Sequence, residues 1–378
     1  MKTETMRFID KMVGTPVTKL VTLLVPAFIR PPKGRTVVVC KFFGIGSVCL
    51  SHPLVKELKD QGSDVVYLTF AGNAAMVKLL GVENCLAMDP SSVWRFGAGV
   101  LMAIWKMRRL RPAAFLNLEF FSRFAAIMSV MSGAPVRAGF HMHDLPVGNL
   151  YSHRTNLNVY HHIFENYLNV GITAGLIDQG AALETYVETF PTPPPSPDFV
   201  PPGDDYIVLN TESSDTIGAL NSWPVPNWTD LIALLGKAYG DHKIVLIGTP
   251  ANVAMCAQIR RGLNDDRNII DATGRTGFDE FAGLIAGASL VITVDSSPLH
   301  LSTFMRRPTV GLFGPGTPVL FGYRLEWVRS IYKDLMCSPC MNLYDAKKSV
   351  LDCRDNQCLK QISAAEVLAA ATELLPTR

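Results

Sequence analysis

Short apolar runs rich in β-branched residues alternate with longer stretches of helical periodicity along most of this chain. In the first half, residues 36–40 (TVVVC), 64–70, 84–88 and 113–118 read as strands. Between and after them, 48–61, 74–80, 94–109 and 121–131 space their apolar residues as helices do. The pattern restarts later, with strands at 206–210, 243–247, 268–271, 290–294 and 309–313. Helices at 228–239, 251–263 and 278–288 separate these strands, and an amphipathic helix at 364–375 ends the series. Such alternation predicts an α/β protein with mostly parallel sheets.

Two interruptions divide the pattern. Residues 191–203 (PTPPPSPDFVPPG) are dense in proline and lack periodicity, which predicts a stiff, extended linker. The chain therefore divides into an α/β domain at 33–190 and a second at 204–378. The length of 378 residues suits two domains of ordinary size. A ligand held in the cleft between them is expected. Residues 1–32 stand apart. Their apolar core at 20–29 is too short for a comfortable membrane span, is preceded by Pro16 and interrupted by Pro26, and lies among Arg7, Lys11, Lys19 and Arg30. Two readings stay open. One is an interfacial anchor, giving peripheral membrane contact through residues 5–30. The other is a helix packed on the protein's own surface or in an oligomer interface.

A formal net charge of +2, with no long basic run, gives no reason to expect nucleic acid. No small-residue cleavage site follows a compact apolar core. Four of the eight cysteines (Cys40, Cys49, Cys85, Cys256) sit in apolar surroundings, as reduced core cysteines do. A reducing, cytoplasmic location fits these features.

The chemistry concentrates between Leu290 and His300. The strand LVITV is followed by Asp-Ser-Ser-Pro-Leu-His. The buried strand closes at Asp295, Ser296 and Ser297 are good helix N-cap types, and Pro298 suits the first helical position. The chain should leave the strand, turn sharply and enter a helix whose free N–H groups point to the carboxyl end of the sheet. His300 falls in its first turn. Plain capping is the bland reading of such a corner, and a diphosphate site is the functional one. A helix N-terminus contributes only about 0.3–1 kcal/mol to anion binding, whereas micromolar affinity needs about 8 kcal/mol, so other residues must supply the rest.

In the first half, Glu119 follows the strand 113–118 directly. It faces the crevice at the carboxyl end of the sheet, or else caps the next helix. The turn Lys41–Ser47 (KFFGIGS), with Gly44 and Gly46, allows close approach of a ligand to backbone, or is simply a tight turn. Residues 140–162 hold five of the eight histidines in no zinc spacing, which favours a solvated loop over one that handles an acceptor. Finally, Cys337, Cys340, Cys353 and Cys358 follow C-x2-C-x12-C-x4-C, which in a reducing compartment points to a structural zinc or iron knuckle rather than disulfides or free thiols.

Several of these segments resemble glycosyltransferase family 9, which includes the lipopolysaccharide heptosyltransferases. They are Trp223-Pro224, IVLIGTP at 244–250, ATGRTGFDEFAGLIAGASLVIT at 272–293, Asp-Ser-Ser-Pro-Leu-His at 295–300 and PTVGLFGP at 308–315. In the first half, KFFGIGSVCLSHPLVKELK and LNLEFFSRFAAIMSVMSGAPVRAGF resemble the family's opening and middle stretches. The resemblance implies a GT-B fold, two Rossmann-like domains facing across a cleft. It further implies an inverting sugar transfer from a nucleotide-sugar donor, commonly ADP-heptose, to a glycan or lipid-linked envelope acceptor, with no cofactor for the chemistry. Asp295, Ser296, Ser297 and His300 then sit at the donor diphosphate and sugar. Thr211 and Glu212 match the first donor loop, Thr249 lies near the nucleoside, and Arg275 matches a position often basic. Lys41, Gly44, Gly46 and Ser47 form the acceptor and phosphate loop.

Two departures stand out. The family's opening turn usually carries an Asp after the Gly, the usual candidate base, and Ser47 stands there. A basic residue often precedes Trp-Pro, and here Asn221-Ser222 do. Glu119 is the replacement candidate for the base. Alternatives are transfer to a protein side chain, as in relatives with a cysteine-ligated iron knuckle, and a non-catalytic sugar-nucleotide-binding subunit.

Overall fold

The computed structural model describes residues 5, 10–141, 147–196, 199–200, 203–211, 218–341 and 353–376. The chain forms two compact units, with the change falling between Tyr186 and Val187. Each unit carries a six-stranded sheet in which every described pair of neighbours is parallel.

In the first unit the strands are β1 (Thr36–Cys40), β2 (Asp64–Phe70), β3 (Asn84–Met88), β4 (Ala114–Asn117), β5 (Val136–Phe140) and β6 (His153–Thr155). Their order is β3-β2-β1-β4-β5-β6. The second unit has β7 (Tyr206–Asn210), β8 (Lys243–Ile247), β9 (Ile269–Asp271), β10 (Leu290–Val294), β11 (Thr309–Phe313) and β12 (Val328–Tyr332), in the order β12-β11-β10-β7-β8-β9. Read from the opposite edge, this is the same 3-2-1-4-5-6 arrangement. The strand order therefore reverses between β1 and β4 in one unit and between β7 and β10 in the other. Those are the switch points where open α/β sheets leave a crevice at their carboxyl ends.

β1, β7, β10 and β11 are buried along their whole length. This accounts for their unbroken apolar runs, because helices cover both faces of a parallel sheet. The sequence pattern locates every described strand except β5, β6 and β12, which bring in residues it left unassigned or only quoted. The helix expected over 48–61 is two, Ile45–Cys49 and His52–Asp60. Pro53 explains the break: it has no N–H to donate, and its ring crowds the carbonyl four residues back.

The helix Gly14–Phe28 packs one face on the helix Arg123–Met131. Val21 joins Ala126, Val130 and Leu150 in an apolar cluster. Asp10 accepts from the N–H groups of Phe124 (2.7 Å) and Arg123 (3.2 Å), capping that second helix. Packing on the protein's own surface thus accounts for one face of the N-terminal helix, while Leu20 and Leu23 on another remain exposed. In the proline stretch, Pro194, Pro195 and Ser196 lie against Gly283 and Gly287 of the helix Phe278–Gly287. A Cβ at Gly283 would meet Ser196 N at 2.8 Å, so the small residues are what let this segment lie close.

Candidate functional site

In the first unit the carboxyl ends of β1 and β4 hold a buried ion pair. Glu119 Oε1 accepts from Lys41 Nζ at 2.9 Å and from the backbone N–H groups of Phe42 (2.7 Å) and Phe43 (3.0 Å). Lys41 is 4% exposed and Glu119 7%. The pair is long-range, and it exists because β1 and β4 are direct neighbours. The surroundings fix it from both sides. Glu119 N–H donates to Asn117 Oδ1 at 3.1 Å, and Asn117 donates to the Tyr151 hydroxyl at 2.6 Å. Thr69 and Asn73 hold the carbonyls of Lys41 (2.6 Å) and Phe42 (2.8 Å). Phe42 stacks on Phe70 with centroids 4.9 Å apart. Glu119 therefore anchors the turn after β1 through one oxygen, and Lys41 is committed to it.

The remaining residues of that turn sit nearby. Gly44 has φ +84°, in the region open to glycine, and a Cβ there would meet Ser47 Oγ at 3.3 Å. Gly46 is buried inside the short helix Ile45–Cys49. Ser47 lies beside the Tyr167 hydroxyl, a buried group at the wall of the same site. The histidine-rich segment is ordered rather than loose where it is described. His162 Nδ1 accepts from Phe164 N–H at 3.2 Å and starts the helix Ile163–Thr173 in a capping box with Glu165. His143 lies outside the described residues.

In the second unit the corner after β10 forms as the sequence predicts, with the helix Ser297–Phe304 beginning directly behind Ser296. Ser296 is at the N-cap position but does not cap. Its Oγ donates to the Val294 carbonyl (3.1 Å), accepts from Asn210 Nδ2 (2.9 Å) and lies 3.2 Å from Thr293 Oγ1. Asn210 reaches it because Asn210 and Thr293 are paired in register across β7 and β10. Ser297 is the first residue of the helix, and Pro298 the second.

Asp295 lies at this switch point with its backbone carbonyl held by Asn221 Nδ2 at 2.8 Å. Burial pushes its carboxyl up to about 7. Gly316 abuts it: a Cβ there would lie 2.7 Å from Asp295 Oδ2. His300 is buried, and its Nδ1 pairs with the Tyr323 hydroxyl at 2.9 Å. Burial lowers its pKa to about 3, so the imidazole is neutral and brings no positive charge to the corner.

The other expected donor residues have protein partners. Thr211 is fully buried, its hydroxyl 3.5 Å from Cys256 Sγ. Thr249 donates both N–H (2.7 Å) and hydroxyl (2.9 Å) to Asn252 Oδ1. Arg275 donates to the Asp271 carbonyl at 2.9 Å and lies over the Phe199 ring at 5.5 Å. Glu212 lies outside the described residues. Asn210, Thr293 and Gly316, which the sequence reading passed over, hold the corner together with Asn221, which it named only as a departure before Trp-Pro. A polar residue ending an apolar strand, as in YIVLN, was the available signal for Asn210. Trp223, of the Trp-Pro pair, is core: its Nε1 donates to the Ile362 carbonyl at 3.0 Å.

The four-cysteine knuckle expected from the spacing is not shown. Among the described residues no group of three or more His, Cys, Asp or Glu is placed to hold a metal ion. Cys337, Cys340, Cys353 and Cys358 are free thiols. Burial raises the Cys340 and Cys358 thiols, and the neighbouring cysteines raise them further. The donor set is of the kind that suits a thiophilic ion. Cys337 is exposed while Cys358 is buried on the helix Gln357–Lys360.

Comparison with known proteins places these corners in context. The model for glycosyltransferase family 9 (heptosyltransferase) matches residues 122–351. Lipopolysaccharide heptosyltransferase 1 of Salmonella typhimurium is 33% identical over 123 residues, 32% of this chain and 35% of that protein. Lipooligosaccharide heptosyltransferase 2 of Campylobacter jejuni is 27% identical over 174 residues, 44% of this chain and 51% of that protein. The matched stretches thus span a third to a half of these relatives' length. The solved structure of E. coli ADP-heptose lipopolysaccharide heptosyltransferase II superposes with a TM-score of 0.67 at 18% identity, covering 90% of this chain and 98% of that one. That likeness identifies the fold as GT-B.

Proposed function

The chain belongs to glycosyltransferase family 9, the heptosyltransferase family, and from that premise we propose that it moves a sugar, heptose in the first instance, from an ADP-linked donor to a cell-envelope glycan or lipopolysaccharide acceptor. One observation carries the reading: a helix starts at the β7/β10 switch point beside Asp295, with its N-cap side chain turned back to the strand. The N-cap side chain makes no bond to the first turn, where Leu299 N–H donates to the Ser296 carbonyl at 3.1 Å, and the start of a helix at a switch point is where a diphosphate is received. An Asp295 whose carboxyl is raised by burial repels the diphosphate less than an ordinary carboxylate would, and its protonated form can donate to a phosphate or sugar oxygen.

In this reading the acceptor hydroxyl loses its proton to Glu119 as its oxygen attacks the anomeric carbon. The carbon–oxygen bond to the diphosphate breaks on the opposite face, and the nucleoside diphosphate leaves with both electrons. Oε1 of Glu119 already takes three donors, so the proton goes to Oε2, and the three bonds orient it. General-base help of this kind is typically worth about 10²–10⁴-fold. A lipid-linked acceptor would bring the chain to the inner face of the cytoplasmic membrane.

The test is a thermal-shift panel of ADP-, UDP-, GDP- and CMP-sugars, followed by transfer from the one that binds. A ligand of the folded state at a hundredfold excess over its dissociation constant stabilises by about 2.7 kcal/mol. A shift with ADP-heptose, and product formed on an envelope glycan, support the reading. No shift with any of the four overturns it.

A further inference from the structure

The helix Val93–Leu110 is apolar on two sides. Its inner side, including Phe96, Ala103, Ile104 and Met107, packs into the core of the first unit. Its outer side leaves Trp94 88% exposed, Leu101 71%, Met102 52% and Trp105 55%. Trp94, Leu101 and Trp105 recur at helical spacing, so they form one stripe rather than scattered surface residues. A helix apolar all round is normally buried, and here nothing described in the unit covers the outer stripe.

A second exposed apolar face adjoins it. On the helix Gly14–Phe28, Leu20 is 59% exposed and Leu23 79%. The two helices meet at their carboxyl ends. The Arg108 guanidinium lies 5.8 Å from the Phe28 ring centroid and donates to the Met131 carbonyl at 3.2 Å. Backbone bonds join Arg30 to Gly133 (2.9 Å) and Lys33 to Arg111 (2.9 Å). Residues 14–35 and 93–111 together carry nine Lys and Arg and no Asp or Glu.

We propose that this combined face docks the first unit on a bilayer surface rich in anionic headgroups. Tryptophans suit the boundary between headgroup and acyl chain. Long basic side chains keep their stems on apolar surface and their charge in the headgroups, and Arg109 lies over the Trp105 ring at 5.5 Å in that manner. Neither helix crosses a bilayer, as no described helix is long and apolar enough; both lie along it. The uniform sign argues against a second copy of this chain as the occupant, because a two-fold interface would set the same nine cations against each other. Docking would serve a lipid-linked acceptor, yet it does not require the sugar-transfer reading.

The test mixes the full chain with vesicles of phosphatidylcholine, with and without phosphatidylglycerol, at low and high salt. Sedimentation with the phosphatidylglycerol vesicles alone, reversed by salt, is expected. Brominated lipid should quench Trp94 and Trp105, while Trp223 and Trp228, fully buried, stay bright. Each cation removed should weaken partitioning about fivefold. The pair Lys106→Glu with Arg109→Glu should therefore weaken it more than tenfold, and Trp94→Ser with Trp105→Ser comparably, with circular dichroism unchanged. The proposal is overturned by absence of binding to the anionic vesicles, by equal binding of both variants, or by a wild-type dimer that the tryptophan variant dissociates. Sugar transfer to a soluble acceptor would persist in these variants, so loss of docking and loss of the enzymatic reading are told apart.

Discussion

Replacing Glu119 by Gln keeps the shape of the side chain and removes its charge, which leaves Lys41 buried beside a neutral amide. Removing one member of a buried ion pair typically costs 3–5 kcal/mol, because the other charge is left uncompensated. A lysine can limit that cost by giving up its proton. From a reference pKa of about 10.4 this takes roughly 3.4 pH units at 1.36 kcal/mol each, or about 4.6 kcal/mol at pH 7, which sets a ceiling. Against a total stability of about 5–15 kcal/mol, the variant should fold but melt far earlier. Activity loss alone therefore says nothing about a base. The informative variant is Glu119→Gln combined with Lys41→Met, which removes both charges and should recover most of the stability. Urea denaturation of both singles and the double closes the cycle, with an expected coupling of 2 kcal/mol or more in keeping with contacting, networked residues, to order of magnitude. Turnover is then measured on the double variant under conditions where it is fully folded. A base at Glu119 leaves turnover down by about 10²-fold or more even though stability has returned. Full turnover in the stable double variant would refute the assignment and leave Glu119 as the anchor of the Lys41–Phe43 turn only.

Asp295 carries a pH signature. Its folded pKa of about 7 exceeds the unfolded value of about 3.9, so between those pH values the native state holds a proton that the unfolded state has lost. Stability from this group is full below about pH 4 and falls as pH rises to about 7, by up to ~4 kcal/mol and less for a carboxyl that is only partly covered. Asp295→Asn should match wild type near pH 4 and exceed it increasingly up to pH 8 in urea midpoint; equal midpoints at both pH values would contradict the burial of the carboxyl. ADP affinity should likewise drop in wild type above pH 7 and stay flat in the Asn variant. For Gly316→Ala, a Cβ 2.7 Å from Asp295 Oδ2 forces the carboxylate aside, so calorimetric titration with ADP should show weaker binding at a stability cost of about 1–3 kcal/mol. His300 has the opposite sign: its native pKa is about 3, the unfolded chain takes a proton below about 6.5, and stability falls with pH in that window by about 1.36 kcal/mol per unit. His300→Gln should flatten the acid limb by that slope, and an unchanged limb would mean that His300 is solvated.

Periodicity alone reveals the alternation of strand and helix, the two-unit organisation and the strand–helix corner at Ser296, because those depend on residues within one or two turns of each other. Motifs in the second half were specific enough to point to the family. Contacts between distant residues were not legible. Lys41 and Glu119 meet only because β1 and β4 are adjacent, and Asn221 holds Asp295 only once the chain has folded back over 74 positions. The partners of the residues nominated from sequence were set on the same ground. Asp295 stays at its corner, while Thr211 and Arg275 turn to Cys256 and Asp271, choices made by packing. The four cysteines are spaced like a metal site, and spacing by itself does not say whether four sulfurs meet at one point. The outer stripe of the helix Val93–Leu110 gives the clearest case. Its residues are as apolar as the inner ones, and a helical pattern cannot say which of two apolar sides the core will take. Only the assembled sheet, with one face to offer, decides which side is buried and which is left to solvent.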